Sequence, residues 1–448
     1  MQSSLQSLAE RYSAPVPRYT SYPTAPNFGN AVGPREATAW MRSLPADAAL
    51  SLYVHIPFCR ALCWYCGCST TVANGQRSIK TYLDTLEREM THVSRLAPQA
   101  HRVTHIHWGG GSPNTLTPEE IERLGESTRA QFHIDPAAEF AVEIDPRFMD
   151  PARVAAFRNA GVNRVSIGVQ DFETKVQAAI NRYQPYNTTR DVVAMLRDAG
   201  VPSLNIDLVY GLPGQTQASV ARTIDLVLSL DPDRVAVFGY AHLPEKIRHQ
   251  RLINTKSLPG PTERLGQANR IARKLLASGY VRVGLDHFAK PTDPLTSAAV
   301  RRNFQGYTTD VSDALIGLGA SAISRFPQGY AQNAAHVPDY QARVAERGLG
   351  TVRGFMLSDD DRMRSYVIER LMCDLVFSED DLRARFGRAA EPLIDDARFV
   401  RDADRDGLTE PTPDGFRITE RGRHFVRSVC ACFDAYLGTT QARHAAGV

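Results

Sequence analysis

The sequence predicts an α/β protein built on an incomplete (β/α)6 barrel, with an N-terminal arm and a mainly α-helical, winged-helix-like C-terminal domain. Short apolar strands alternate with amphipathic helices through the middle of the 448-residue chain. The alternation repeats six times, fewer than the eight repeats of a closed barrel. Near the end of the chain the pattern changes to helices and a hairpin. We therefore expect an arm over residues 1–46, a partial barrel with extensions over 47–355, and a lid domain over 356–448.

The predicted arm is rich in Pro, Tyr and Ser (PVPRYTSYPTAPNF), which favours irregular structure. A disordered terminus is the alternative interpretation. Tyr12, Tyr19, Tyr22 and Phe28 make the segment more aromatic than a solvated tail needs to be. This aromatic content favours an arm that packs on the rest of the protein.

The barrel prediction depends on alternating strand and helix candidates. The strand candidates are Leu52–Ile56, Val103–Trp108, Phe140–Ile144, Arg164–Gly168, Leu204–Leu208 and Arg234–Phe238. The helical stretches between them are Ile79–Leu96, Pro118–Phe132, Pro151–Ala160, Thr188–Ala199 and Gln217–Leu228. Such alternation is typical of a parallel sheet with right-handed crossovers. Functional residues of these folds lie at the carboxyl ends of the strands.

The C-terminal region carries predicted helices over Asp361–Cys373 and Glu379–Phe386, a hairpin across GLTEPTPDGFRIT and a final helix from Glu420. This order resembles a winged helix, a fold that often binds DNA. No basic stripe accompanies it, and a fold alone does not establish a function. We therefore expect no nucleic-acid partner.

Composition indicates the cellular compartment of the protein. The net charge of +3 is small for this length and implies no strong attraction to polyanions. The first residues lack the apolar segment of a signal peptide, and no apolar run is long enough to span a bilayer. Four of the seven cysteines fall within ten residues, which is unlike a disulfide framework. We expect a cytoplasmic protein without a membrane partner, whose crowded thiolates surround a metal.

The crowded cysteines lie in LYVHIPFCRALCWYCGCS, directly after the first barrel strand. Cys59, Cys63 and Cys66 follow the spacing Cys-x3-Cys-x2-Cys. A structural zinc site needs four ligands, usually in two separated pairs. Three thiolates on one loop instead suit a [4Fe–4S] cluster with one open iron. An open iron can bind the amino and carboxylate groups of S-adenosylmethionine.

Three polar side chains follow successive strands of the predicted sheet: Glu143, Gln170 and Asp207. Buried carboxylates need partners, and ribose hydroxyls or an ammonium group would supply them. The alternative is that each residue caps the turn or helix that follows, as Asp145 before Pro146 can do. Because all three lie at one end of one sheet, the sequence favours a binding site.

Several further segments give the chain a recognisable pattern. They are PRYTSYPTA, YVHIPFC with CWYCGC, HWGGGSPNTL, EIDPR, SIGVQDF, NIDLVYGLPGQT, FGYAHLP, DHFAKP, NFQGYTTD, GLGASAIS and CACFDAYL. The cysteine loop resembles the radical S-adenosylmethionine (radical SAM) superfamily. The full set, which covers nearly the whole chain, resembles the oxygen-independent coproporphyrinogen III oxidases of porphyrin and haem biosynthesis.

The resemblance implies a barrel of the radical SAM type and a specific reaction. Two propionate side chains of coproporphyrinogen III would lose CO2 and become vinyl groups, giving protoporphyrinogen IX. A 5′-deoxyadenosyl radical from S-adenosylmethionine would start each step. The resemblance also implies one [4Fe–4S] cluster, two S-adenosylmethionine molecules per chain, reduced flavodoxin or ferredoxin as electron donor, and a monomer.

The resemblance implies roles for individual residues as well. Cys59, Cys63 and Cys66 would bind the cluster, while Cys68 would be needed without being a ligand. The implied contacts to S-adenosylmethionine are Tyr53, Tyr65, Gly110, Gly111, Ser112, Glu143, Gln170, Arg182, Asp207, Ala241 and Ile323. Cys68, Tyr53 and Gln305 count as candidate catalytic residues. The substrate carboxylates need cationic or donor groups, for which Gln305, with Arg18, His287 and Arg302, is a candidate.

Three alternatives remain open at this point. A haem chaperone on the same scaffold would bind rather than decarboxylate, but such relatives lack the fourth cysteine and the PRYTSYPTA arm. A radical enzyme for another substrate, such as a methylase, would share the cysteine loop without the DHFA, NFQGY and CACFDAYL segments. A winged-helix regulator that senses iron–sulfur status is the third.

Overall fold

The computed structural model of the chain describes residues 5–73 and 75–438. The strands are β1 Ala49–Ile56, β2 Phe58–Cys59, β3 Thr71–Val72, β4 Arg102–Gly110, β5 Ile134–Ile144, β6 Arg164–Gln170, β7 Ser203–Tyr210, β8 Arg234–Gly239, β9 Val281–Val283, β10 His287–Ala289, β11 Arg301–Asn303, β12 Gly306–Thr308, β13 Ala314–Leu318, β14 Ile323–Phe326, β15 Gly329–Asn333, β16 Thr351–Met356, β17 Val376–Ser378, β18 Thr409–Thr412 and β19 Gly415–Ile418. The α-helices are α1 Leu5–Arg11, α2 Pro34–Arg42, α3 Gln76–Leu96, α4 Pro118–Gln131, α5 Pro151–Ala160, α6 Thr174–Ala179, α7 Tyr186–Asp198, α8 Gln217–Ser229, α9 Pro261–Ala277, α10 Val337–Arg347, α11 Asp359–Cys373, α12 Glu379–Phe386, α13 Glu391–Ala403 and α14 Val426–Ala431.

The partial barrel is confirmed. Strands β1, β4, β5, β6, β7 and β8 pair in parallel, in that order. Each lies at a predicted strand and extends it by one or more residues, by as much as six at the start of β5. The sheet does not close on itself, because β13 pairs with the outer side of β1 and β10 pairs antiparallel with β8.

Local sequence signals set the helix ends around the barrel. Thr117 caps α4 by accepting a hydrogen bond from the backbone N–H of Glu120, and the Glu120 carboxylate accepts one from Thr117 N in return. Asp150 caps α5 in the same way through Arg153 N, and Gly161 ends that helix in the left-handed conformation with φ 102°. Helices that begin and end at these residues return the chain to the sheet in the order that the sequence predicts.

A buried carboxylate joins the barrel to its antiparallel extension, the strands β13–β16. Glu89 on α3 accepts hydrogen bonds from Gly319 N at 2.7 Å and Gly350 N at 3.0 Å. Asn333 Nδ2 and the Tyr340 hydroxyl donate to it as well, each at 2.9 Å. Glu89 is 1% exposed, so these four donors depend on it for their acceptor.

The N-terminal arm differs from the irregular segment that the sequence predicts. It contains the helices α1 and α2, and Leu8 on α1 is fully buried. Tyr19 and Tyr22 are also buried, in a hydrophobic core that they share with residues between 363 and 433. The Tyr22 hydroxyl accepts a hydrogen bond from Ala435 N at 3.0 Å. The arm therefore packs as part of the C-terminal domain, which explains its aromatic content.

The C-terminal domain holds α11, α12 and the β18–β19 hairpin at the predicted places, and β17 completes a three-stranded sheet. The sequence did not predict α13. The final helix begins at Val426 rather than Glu420, because Gly422 N donates to Thr419 Oγ1 and turns the chain first. Within residues 5–73 and 75–438, no helix is long and apolar enough to cross a membrane.

Candidate active site

A cavity of about 690 Å³ lies at the carboxyl ends of the parallel strands. The cysteine loop forms part of its wall, and the arm, the β11–β12 hairpin and the C-terminal domain contribute residues to the rest. The cavity therefore lies where strand ends of an α/β sheet place functional residues.

The cysteine loop is held in place by backbone hydrogen bonds. Cys59 ends β2, which pairs with β3, and Cys66 N donates to Cys63 O at 3.2 Å. His249 Nε2 donates to Cys66 O at 2.7 Å, and Gln250 Nε2 donates to Tyr65 O at 3.0 Å. Sequence reasoning missed these two residues, because they follow β8 and no local motif connects them to the loop.

Hydrogen-bond donors lie beside the sulfur atoms of Cys63 and Cys66. Arg182 Nη1 lies 3.4 Å and Arg147 Nη2 lies 3.6 Å from Cys63 Sγ. Cys68 N donates to Cys66 Sγ at 3.4 Å, and a hydrogen bond with Cys68 lowers the pKa of the Cys66 thiol to about 6. Donors and cations stabilise thiolates, the form that binds metal.

The three cysteines suit an iron–sulfur cluster. Thiolates are the ligands that such centres prefer, and a [4Fe–4S] cluster is held by cysteine sulfurs. Cys59, Cys63 and Cys66 line the same cavity and match that ligand set.

Asp145 connects the two arginines at Cys63. Its carboxylate accepts from Arg147 Nη2 at 2.6 Å and from Arg182 Nη1 at 3.2 Å. It also caps the turn that follows through Arg147 N at 3.1 Å. Arg182 further donates to Gly168 O at 2.6 Å. The structure thus places Arg182, which the family resemblance makes a contact to S-adenosylmethionine, directly beside a cysteine.

The glycine run after β4 passes under the cysteine loop. Gly111 N donates to Ile56 O and Ser112 N donates to Phe58 O, both at 2.8 Å. A Cβ at Gly111 would lie 2.6 Å from Phe58 O, so only glycine fits this close approach. Gly110 has a φ of 108°, which also favours glycine. The Ser112 hydroxyl donates to the Asn114 side chain at 2.6 Å, and its contact with S-adenosylmethionine stays a prediction.

Glu143, Gln170 and Asp207 all line the cavity, so the structure brings the three strand-end residues together. Glu143 accepts from His107 Nε2 at 2.9 Å. Burial would raise the pKa of Glu143, but the bond to His107 holds it below its usual value. Burial raises the pKa of Asp207, although Ser166 Oγ donates to it at 2.7 Å. The two carboxylates therefore differ in proton affinity within one cavity.

Most of the remaining predicted residues share the cavity wall. Cys68, Tyr65, Gly110, Gly111, Ser112, Ala241, Gln305, Arg18, His287 and Arg302 line it. Tyr53 and Ile323 are not among the described residues that do. Tyr53 packs against His107, with ring centroids 5.9 Å apart, and its hydroxyl lies 3.0 Å from His55 Nδ1. Tyr53 therefore contacts the cavity only indirectly, by packing against His107, which lines it.

Comparisons with known proteins agree with this geometry. Residues 53–227 match the family model of the Radical SAM superfamily. The chain is 45% identical to an oxygen-independent coproporphyrinogen III oxidase of Bradyrhizobium diazoefficiens, over 97% of each chain. It is 42% identical to the protein of that name from Pseudomonas aeruginosa, over 96% of this chain and 95% of the other. Among solved structures, coproporphyrinogen III oxidase (HemN) from Escherichia coli, a radical SAM enzyme, matches with a TM-score of 0.89 and 38% identity, covering 94% of this chain and 97% of that one.

Proposed function

This chain belongs to the oxygen-independent coproporphyrinogen III oxidase family of the radical SAM superfamily, and we propose that it converts two propionates of coproporphyrinogen III to vinyl groups, giving protoporphyrinogen IX. The observation that carries this proposal is the near-complete coverage at 38–45% identity, which includes the arm and the C-terminal domain. The enzyme is an oxidoreductase that uses a [4Fe–4S] cluster and S-adenosylmethionine. The haem-chaperone, methylase and regulator alternatives have no comparable support.

Cys59, Cys63 and Cys66 would hold the cluster. Arg182, Arg147 and the backbone N–H of Cys68 would donate to the coordinating sulfurs, and such donors tune the cluster potential. Glu143, Gln170 and Asp207 would bind polar groups of S-adenosylmethionine, and the close approach at Gly111 lets that ligand lie against the backbone. When bound at these cysteines, the cluster would supply the single-electron reduction on which cleavage of S-adenosylmethionine depends.

The arm and the C-terminal domain would limit the access of water to the reaction space. Arg18 from the arm donates to Gly239 O at 2.9 Å, and Arg427 from the C-terminal domain lines the same cavity. Enclosure prevents side reactions of reactive intermediates. We further propose that the protein acts as a cytoplasmic monomer, binds two S-adenosylmethionine molecules and takes its electrons from reduced flavodoxin or ferredoxin.

Product counting under anaerobic conditions tests the proposal. The reconstituted protein is incubated with S-adenosylmethionine, a reductant and coproporphyrinogen III, and 5′-deoxyadenosine and protoporphyrinogen IX are counted by mass. We expect two deoxyadenosines per porphyrinogen product. Cys63→Ala should abolish both products, while Cys432→Ala, an exposed thiol outside the cavity, should retain them. Formation of deoxyadenosine without decarboxylation would refute the proposed substrate and leave the assignment of the cluster unchanged.

A further inference from the structure

Five arginines from five separate segments line the cavity and form what we call the arginine cluster. They are Arg18 in the arm, Arg264 on α9, Arg282 on β9, Arg302 on β11 and Arg427 on α14. They group around Asp286 and Tyr210, which act electrostatically on several of them. No single motif of the sequence contains two of them, so the tertiary fold assembles this positive charge.

Two members of the arginine cluster, Arg302 and Arg282, make only long contacts with carboxylates of the described residues. Arg302 Nη1 lies 3.7 Å from Asp286 Oδ1, beyond hydrogen-bond distance, and Arg282 Nη1 lies 3.9 Å from Glu420, which is 75% exposed. By contrast, Arg234 donates to Asp293 at 2.6 Å. The described carboxylates therefore neutralise Arg302 and Arg282 less completely than Asp293 neutralises Arg234.

Hydrogen-bond donors inside the arginine cluster lack acceptors. Nε and Nη1 of Arg302, and Nε of Arg282, are buried without a hydrogen-bond partner among the residues that the structure describes. The Arg302 side chain is only 5% exposed. Gln305 Oε1, in the turn after β11, is likewise buried without a donor. Buried charged groups normally find partners, so these atoms point to a ligand that supplies acceptors.

The pKa values of two members of the arginine cluster are also consistent with a bound anion. Burial, together with the positive charge of Arg18 and Arg302, lowers the pKa of Arg427 to about 10. Burial and the charge of Arg423 lower the pKa of Arg282 to about 10. These guanidinium groups stay protonated at neutral pH but at a cost, which a bound anion would remove.

Two members of the arginine cluster are anchored to the barrel. Arg18 Nη2 donates to Gly239 O at 2.9 Å, and Arg264 Nη2 donates to Tyr240 O at 3.0 Å. These carbonyls belong to consecutive residues at the carboxyl end of β8. The anchors hold two guanidinium groups at fixed positions relative to the parallel strands and hence to the cysteine loop, and a fixed fork geometry suits carboxylates.

We propose that the arginine cluster binds the propionate carboxylates of the porphyrinogen, and thereby orients the propionate that reacts toward the cysteine loop. This inference rests on the proposed function, because it takes the substrate from it. The arm and the C-terminal domain supply Arg18 and Arg427, so substrate binding and closure of the cavity depend on the same contacts.

Equilibrium binding to the full chain tests this site. One probe is coproporphyrin III, which is stable and carries the same carboxylates as the porphyrinogen. The other is its tetramethyl ester, which lacks the negative charges. Binding is followed by fluorescence. We expect Arg302→Gln and Arg427→Gln each to weaken coproporphyrin III binding by about tenfold or more, and the ester to bind equally weakly to all proteins. Arg302→Lys, which keeps the charge, should lose less. Arg388→Gln, an exposed arginine outside the cavity, should bind like the wild type.

Several outcomes would overturn the proposal. Equal binding of acid and ester by the wild type would do so, as would Gln variants that fold with an unchanged urea midpoint and bind coproporphyrin III normally. Weakened S-adenosylmethionine binding with normal coproporphyrin binding would assign the arginine cluster to the cofactor instead. Product counting keeps the two proposals apart: a wild type that binds through these arginines without decarboxylating refutes the proposed function and retains the site.

Discussion

Replacing Asp145 with Asn tests the electrostatic arrangement beside the cysteine loop. Asn keeps an acceptor for Arg147 N but removes the charge that pairs with Arg147 and Arg182. The three side chains are 11%, 13% and 7% exposed, so solvent screens them little. Two guanidinium groups would then face each other beside Cys63 without a carboxylate between them.

The expected magnitude follows from burial. Removing one partner of a buried ion pair costs about 3–5 kcal/mol, because the remaining charge stays buried and unpaired. We expect Asp145→Asn to lower the free energy of unfolding of the cluster-free protein by this amount in urea denaturation. It should also lower the iron bound per chain after reconstitution.

Asp150→Asn is the matched control. Asp150 also caps a helix and pairs with an arginine, Arg153, but its side chain is 43% exposed and lies outside the cavity. Asn also caps helices, so the control loses only the partly exposed ion pair, which costs about 0–1 kcal/mol. If Asp145→Asn destabilises the protein no more than Asp150→Asn does, the two arginines do not depend on Asp145 and the reasoning is refuted.

Three further changes test other parts of the structure. Gly111→Ala should prevent cluster binding, measured as iron per chain, because its Cβ would lie 2.6 Å from a backbone carbonyl oxygen. The control Gly29→Ala, whose Cβ would have no atom within 4 Å, should bind the normal amount of iron. Equal amounts of iron in the two variants would contradict the close approach at Gly111. Glu89→Leu should lower the free energy of unfolding, measured in urea, by about 3–5 kcal/mol, because the buried donors around Glu89 lose their acceptor. An equal loss in Glu87→Leu, on the same helix, would show that these donors do not depend on Glu89. Burial lowers the pKa of His424 to about 3. Because the pKa of His in the unfolded chain is about 6.5, the free energy of unfolding should fall as the pH drops below that value, by about 2 kcal/mol at pH 5. His424→Gln should flatten this part of the urea-midpoint profile against pH, and an unchanged slope would speak against it.

Sequence reasoning succeeded where the signal is local. The six parallel strands, the β18–β19 hairpin and the helix α5 lie where periodicity and caps predict them. The arm was predicted as irregular because its Pro and Tyr residues dominate locally, yet α1 forms since Leu8 packs into the C-terminal core. Tertiary burial stabilises a short helix that propensity alone would leave marginal.

The sequence by itself determined the cysteine spacing, the order of the strands and the strand-end residues, because these depend on neighbours within one βα unit. Parallel pairing then obliges Glu143, Gln170 and Asp207 to meet at one end of the sheet. Only the tertiary structure decided that Tyr53 contacts the site through His107, and that five arginines from distant segments line one cavity. Contacts between segments hundreds of residues apart leave no periodic pattern in a sequence, since they depend on how the packed elements bring the chain together.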